Sequence, residues 1–165
     1  MKTLILGGAR SGKSLVAEQL AQRRTGPVTY VATVRLNGDE DLERRIAAHR
    51  ERRPPTWSTV ECDNDLAKVL SSISGTVLVD SLGPWLAALP DLRCDLDALI
   101  AALRARRDDT FVVSEEVGLA VHPETTIGRE FRDQLGSLNQ AVARECDDVL
   151  LVVAGRALSL PRFDS

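Results

Sequence analysis

Eight residues near the start of the chain have the types and spacing for phosphate chemistry: Gly7-Gly8-Ala9-Arg10-Ser11-Gly12-Lys13-Ser14. They fit the pattern G-x-x-x-x-G-K-[ST]. Gly7 and Gly12 let the backbone curl so that its N–H groups face a phosphate chain. A helix beginning there points its positive end at the same place. Lys13 can reach β- and γ-phosphates, and Ser14 can hold Mg²⁺. The pattern carries meaning only between a strand and a helix. Thr3-Leu4-Ile5-Leu6 before it is apolar and of strand length, and Leu15-Val16-Ala17-Glu18-Gln19-Leu20-Ala21 after it suits a helix. All eight residues are therefore expected to bind nucleotide.

Other residues compete for the chemistry. Asp80 ends the apolar run Val77-Leu78-Val79, where a P-loop enzyme places a second acidic residue on Mg²⁺ or its water shell. Its bland alternative is an N-cap for the helix after Ser81. His49 follows Ile46 by three residues and Leu42 by seven, the spacing of a packed ring on an apolar helix face. A neutral imidazole can also attack phosphorus and hold a nucleotidyl group covalently, and Arg44, Arg45 and Arg50 supply cations beside it. His122, before Pro123, reads as a surface loop histidine. Glu115 and Glu116 follow the strand ending at Ser114, at the carboxyl edge where open α/β sheets gather ligands. A carboxylate there accepts hydrogen bonds from guanine, a substrate hydroxyl or metal-bound water, or is simply a solvated loop charge. The guanine-reading Asn-Lys-x-Asp of switch GTPases is absent from the sequence.

The elements that must position these residues alternate strand and helix, which predicts an α/β fold with a mainly parallel sheet flanked by helices. Strands are expected at 2–7, 28–32, 57–60, 77–80, 110–114 and 149–153, with an antiparallel edge strand at 157–160. Helices are expected at 13–24, 39–52, 63–73, after Ser81, at 95–107 and at 128–146. The last carries the stripe Phe131, Leu135, Leu138 and Val142. The loop 115–127 is long enough to be functional. A chain of 165 residues, 44% hydrophobic and 27% charged, predicts one soluble globular domain over residues 1–165. A net charge of −3 gives no support for nucleic-acid binding. No apolar run reaches the ~20 residues of a membrane span. Met1-Lys2 leads directly into a core strand, so no signal peptide is expected. Cys62, Cys94 and Cys146 are too few and scattered for a zinc site or disulfide framework, so reduced cytoplasmic thiols are expected. At this level a small-molecule kinase with one activity and a nucleotide-dependent binding protein both stay open.

The ordered set of segments resembles one family, the bifunctional adenosylcobinamide kinase/adenosylcobinamide-phosphate guanylyltransferases of cobalamin biosynthesis. The marks run from Gly7–Ser14 through Tyr30-Val31-Ala32-Thr33 to Arg45-Ile46-Ala47-Ala48-His49-Arg50, with Arg53-Pro54 and Trp57 behind it. Val79-Asp80-Ser81-Leu82 with Trp85-Leu86 follows, then Glu116-Val117-Gly118 and Arg129-Glu130-Phe131-Arg132-Asp133 with Gly136 and Asn139. Val152-Val153-Ala154-Gly155 closes the set. The resemblance implies two reactions. A nucleoside triphosphate, ATP or GTP, phosphorylates the aminopropanol hydroxyl of adenosylcobinamide. GTP then gives GMP to that phosphate through a guanylylated histidine, releasing pyrophosphate. His49 matches that histidine, and Lys13 joins it as catalytic. Glu61 and Asp80 are counted with the nucleotide-binding residues, Ser14 and Asp80 with Mg²⁺, and Arg45 and Glu116 as further site candidates. Homo-oligomers are implied as well. Where many members have Asn-Glu-Val-Gly, this chain has Glu115-Glu116-Val117-Gly118, an extra carboxylate beside the site.

Overall fold

The computed structural model describes residues 1–34, 53–119 and 121–163. Strands β1 (Lys2–Gly7), β2 (Val28–Ala32), β3 (Ser58–Glu61), β4 (Thr76–Asp80), β5 (Thr110–Glu115), β6 (Asp148–Val153) and β7 (Arg156–Ser159) form one sheet. Their spatial order is β3-β2-β4-β5-β1-β6-β7. Every neighbouring pair is parallel except β6 and β7, which meet antiparallel at the edge as the sequence predicts. The connecting helices are α1 (Lys13–Gln22), α2 (Leu66–Ser72), α3 (Leu82–Ala88), α4 (Leu96–Ala105) and α5 (Thr126–Glu145). A short 3₁₀ turn at Pro90–Leu92 links α3 towards α4.

The central strands are apolar on both faces because helices cover both. On one face Ile5, Leu78, Phe111, Val113 and Val152 pack against Ala17 and Ala21 of α1. On the other, Leu4, Val77, Val79 and Val112 meet Leu66, Leu86, Leu99, Leu103, Leu135 and Val142 from the remaining helices. Alternate residues of β1 thus enter opposite cores, as a period of two requires. Each fully buried Leu or Val contributes about 1.5–3 kcal/mol of transfer free energy.

Helix starts fall where side chains cap them. Asp65 accepts from the Lys68 N–H at 2.8 Å and Asp95 from that of Ala98 at 2.9 Å, so α2 and α4 begin one residue later. Thr125 accepts from the Gly128 N–H at 3.2 Å, which starts α5 at Thr126, two residues before the predicted 128. The loop from β5 is correspondingly shorter. The helix expected at 39–52, with Arg45 and His49, lies outside the described residues. No helix among the described residues is long and apolar enough to cross a membrane.

Candidate active site

Three strand ends converge on one point at the carboxyl edge of the sheet. β1 delivers the glycine loop, β5 beside it delivers Glu115, and β4 beyond it delivers Asp80. In the loop, Arg10 and Gly12 both take left-handed backbone, with φ of 56° and 93°. Gly12 immediately precedes α1 and offers no side chain to cap it. The first N–H groups of a helix have no intrahelical acceptors, so this start has the electrostatics of an anion site. The Lys13 N–H has only a long approach, 3.4 Å, to Ser11 Oγ.

Neighbouring elements hold the loop in shape. The Gly7 carbonyl accepts from the Glu116 N–H at 3.1 Å, and the Ser11 carbonyl from the Gly155 N–H at 2.8 Å. A Cβ on Gly7 would collide with Ser11 Oγ and lie 2.8 Å from the Val152 carbonyl oxygen. A Cβ on Gly12 would stand 3.2 Å from Gly155 Cα. The turn between β6 and β7 therefore buttresses the glycine loop, a support that no local pattern in residues 154–155 reveals.

Ser14 Oγ donates to Asp80 Oδ1 at 3.1 Å. Asp80 Oδ2 accepts from Tyr30 Oη at the same 3.1 Å. The guanidinium of Arg53 lies over the Tyr30 ring, 3.5 Å from its centroid. Burial first, and the Asp80 charge second, push the Tyr30 phenol well up, so at neutral pH it is a proton donor to the carboxylate. The helix after β4 has Ser81 as its N-cap, so Asp80 does not cap it. Thr33 fastens that corner: its hydroxyl donates to the Ser81 carbonyl at 2.7 Å and accepts from the Ser81 N–H at 2.8 Å.

Lys13 Nζ contacts the Gly8 carbonyl at 3.3 Å and Glu115 Oε1 at 3.4 Å. Glu115 is thus no solvated loop charge. It is the last residue of β5, one beyond the predicted strand end, and Gly7 is its partner in register. Asn139 of α5 pins this strand end. Its Oδ1 accepts from Ser114 Oγ at 2.6 Å and its Nδ2 donates to the Glu115 carbonyl at 3.1 Å.

The other candidate residues among those described lie apart from this cluster. Glu116 turns its carboxylate back to the Gly118 N–H at 2.6 Å, and only its backbone touches the glycine loop. Glu61 is exposed at the end of β3, in register with Ala32, which is in register with Asp80. Two interstrand spacings put it about 10 Å from Asp80 along the edge. His122 is exposed and its Nδ1 lies 2.8 Å from Arg132 Nη1, in keeping with a surface loop histidine.

Among the described residues no three His, Cys, Asp or Glu side chains group as a metal site. Ser14 and Asp80 instead bring a hydroxyl and a carboxylate oxygen together. Such hard oxygen donors suit Mg²⁺, which takes one or two protein ligands and completes its shell with phosphate and water.

The parallel sheet with its glycine loop at a helix start defines a P-loop nucleotide-binding fold. A type III secretion system ATPase of pathogenic bacteria shares it, at a TM-score of 0.52 and 11% identity, covering 96% of this chain and 56% of that one. The family is narrower. Residues 3–160 match the model of the CobU family, described as cobinamide kinase / cobinamide phosphate guanyltransferase, and the chain belongs to that family. It is 42% identical to the bifunctional adenosylcobalamin biosynthesis protein CobP of Pseudomonas aeruginosa, with 97% of each chain covered. It is 36% identical to the bifunctional adenosylcobalamin biosynthesis protein CobU of Salmonella typhimurium, over 94% of this chain and 97% of that one.

Proposed function

We propose that this chain phosphorylates the aminopropanol hydroxyl of adenosylcobinamide with ATP or GTP, and then transfers GMP from GTP to the new phosphate. The observation that carries the reading is the family match over residues 3–160, joined to a glycine loop that brings Lys13, Ser14 and Asp80 to one point. In the first reaction the substrate hydroxyl oxygen attacks the γ-phosphorus and the nucleoside diphosphate leaves. The loop N–H groups and Lys13 hold the phosphates in line, which is most of what phosphoryl transfer needs. In the second, an imidazole nitrogen of His49 attacks the α-phosphorus of GTP. A P–N bond forms as the P–O bond to pyrophosphate breaks. A phosphate oxygen of adenosylcobinamide phosphate then attacks the same phosphorus, and the histidine leaves.

Gly7–Ser14 bind the phosphates in this reading, and Glu61 and Arg45 are further nucleotide contacts. Ser14 and Asp80 hold Mg²⁺, which supplies charge neutralisation to the phosphates when bound. Glu116 shapes the loop after β5 through its backbone. The protein acts in the cytoplasm as a homo-oligomer, without nucleic acid.

The test is to mix the chain with Mg²⁺ and GTP labelled at the α-phosphorus, denature it, and follow the label. Label that survives alkali, is released by acid and is missing from His49→Ala, which still binds GTP, is the expected result. A protein that binds GTP and takes up no label would overturn the covalent step.

A further inference from the structure

β5 lies between the strand that carries the glycine loop and the strand that carries Asp80, so its final carboxylate stands between Lys13 and the start of α3. The two oxygens of Glu115 have separate duties. Oε1 accepts from Ser81 Oγ at 2.8 Å and lies 3.4 Å from Lys13 Nζ. Oε2 accepts from the Gly83 N–H at 2.9 Å. A Cβ at position 83 would collide with this carboxylate, so the glycine admits it. Asn139 fixes the backbone behind it. The Lys13 and Glu115 side chains are only 12% and 23% exposed, so water screens the pair weakly.

We propose that Glu115 is a latch on the P-loop lysine, a positioning residue that Lys13 must leave before it can serve a triphosphate. The proposal rests on the reading of Gly7–Ser14 as the phosphate-binding loop. The Lys13 ammonium has three N–H donors, and its two contacts here, Glu115 and the Gly8 carbonyl, are both within the protein. When β- and γ-phosphates take the ammonium, the ion pair with Glu115 loosens. The carboxylate, still held by Ser81 and Gly83, then faces added negative charge. Both effects weaken binding of any ligand that uses Lys13. Neither acts on a nucleotide whose phosphate stops short of it. Glu115 therefore narrows the preference for nucleoside triphosphate over monophosphate.

Calorimetric titration of the full chain with GTP, inorganic tripolyphosphate and GMP tests this, on wild type, Glu115→Gln and Glu115→Asn. Both amides remove the charge, and the Gln amide, of the same length as Glu, also keeps an acceptor for the Gly83 N–H. If one of them fails to fold, the other carries the measurement. The expected result is GTP and tripolyphosphate binding about three- to tenfold tighter in the amide variants, with GMP unchanged. A carboxylate that merely caps α3 predicts lower stability with no change in these affinities. That result, an equal change for all three ligands, or weaker GTP binding would each overturn the latch. A wild-type chain that binds neither GTP nor tripolyphosphate would instead overturn the loop reading itself.

Discussion

Tyr30 Oη donates to one oxygen of Asp80 at 3.1 Å while Ser14 Oγ donates to the other at 3.1 Å. The carboxylate is thereby oriented from two sides, by a strand that has no part in the glycine loop and by the first turn of α1. Register explains the reach. Tyr30 pairs with Leu78, and Leu78 and Asp80 lie on the same face of β4, so the ring runs along that face towards the sheet edge. Tyr30 is thus a second support for the carboxylate proposed to hold Mg²⁺.

Removing that support has a defined consequence. Tyr30→Phe keeps the ring under Arg53 and deletes only the donor to Asp80. The Mg²⁺ concentration for half-maximal GTP turnover should rise about two- to fivefold, and Asp80→Asn should raise it more. Folding stability should fall by about 1 kcal/mol, the usual effect of losing one such bond. A Mg²⁺ titration unaltered in both variants would return Asp80 to a structural role.

Lys13 gives a cleaner separation of site from fold. Its side chain touches only Gly8 and Glu115 among the contacts described, so Lys13→Ala should change stability by less than about 1 kcal/mol. Turnover with GTP should fall by about 100-fold or more, because the ammonium charge at the phosphates is lost. Steady-state kinetics beside a urea unfolding curve would check both. Normal turnover by a stable variant would remove Lys13 from the mechanism.

Much of this arrangement was legible in the sequence because its signals are local. The glycine loop, the apolar strands and the stripe on α5 are each short patterns, and each lies where the pattern puts it. The edge strand β7 was legible too, since Ala154-Gly155 allows the tight return. Strand order was not, because pairing β5 between β1 and β4 leaves no periodic trace in any of the three. That order is what brings Glu115 to Lys13. The same holds for Tyr30 and Asp80, for Asn139 and Ser114, and for Gly155 and Ser11. Each is a partnership across tens of residues, set by packing and register. Tyr30, Asn139 and Gly155 belong to segments that mark the family, yet their types alone did not say what they touch. Arg45 and His49 fall outside the described residues, so the geometry around the glycine loop is independent of the claim made for them.

Alkaline pH offers a test of the larger core, at the sheet edge opposite the site. Cys146 ends α5 and packs in the larger core, where burial first and the Asp147 charge second push its thiol from 9.0 up to about 12. Cys94 is also raised, chiefly by burial. As pH rises through 9, the unfolded chain loses the Cys146 proton while the folded chain keeps it. The unfolded state then binds fewer protons, so stability is full below pH 9 and declines as pH rises from 9 towards 12. Near pH 10 the Cys146 thiol contributes a slope approaching about 1.4 kcal/mol per pH unit. Urea unfolding at pH 8, 9 and 10 should show this decline in wild type. Cys146→Ala should begin less stable, since a buried sulfur is lost, yet decline less steeply over the same range. Equal slopes for the two proteins would mean that the Cys146 thiol titrates alike in the folded and unfolded chain.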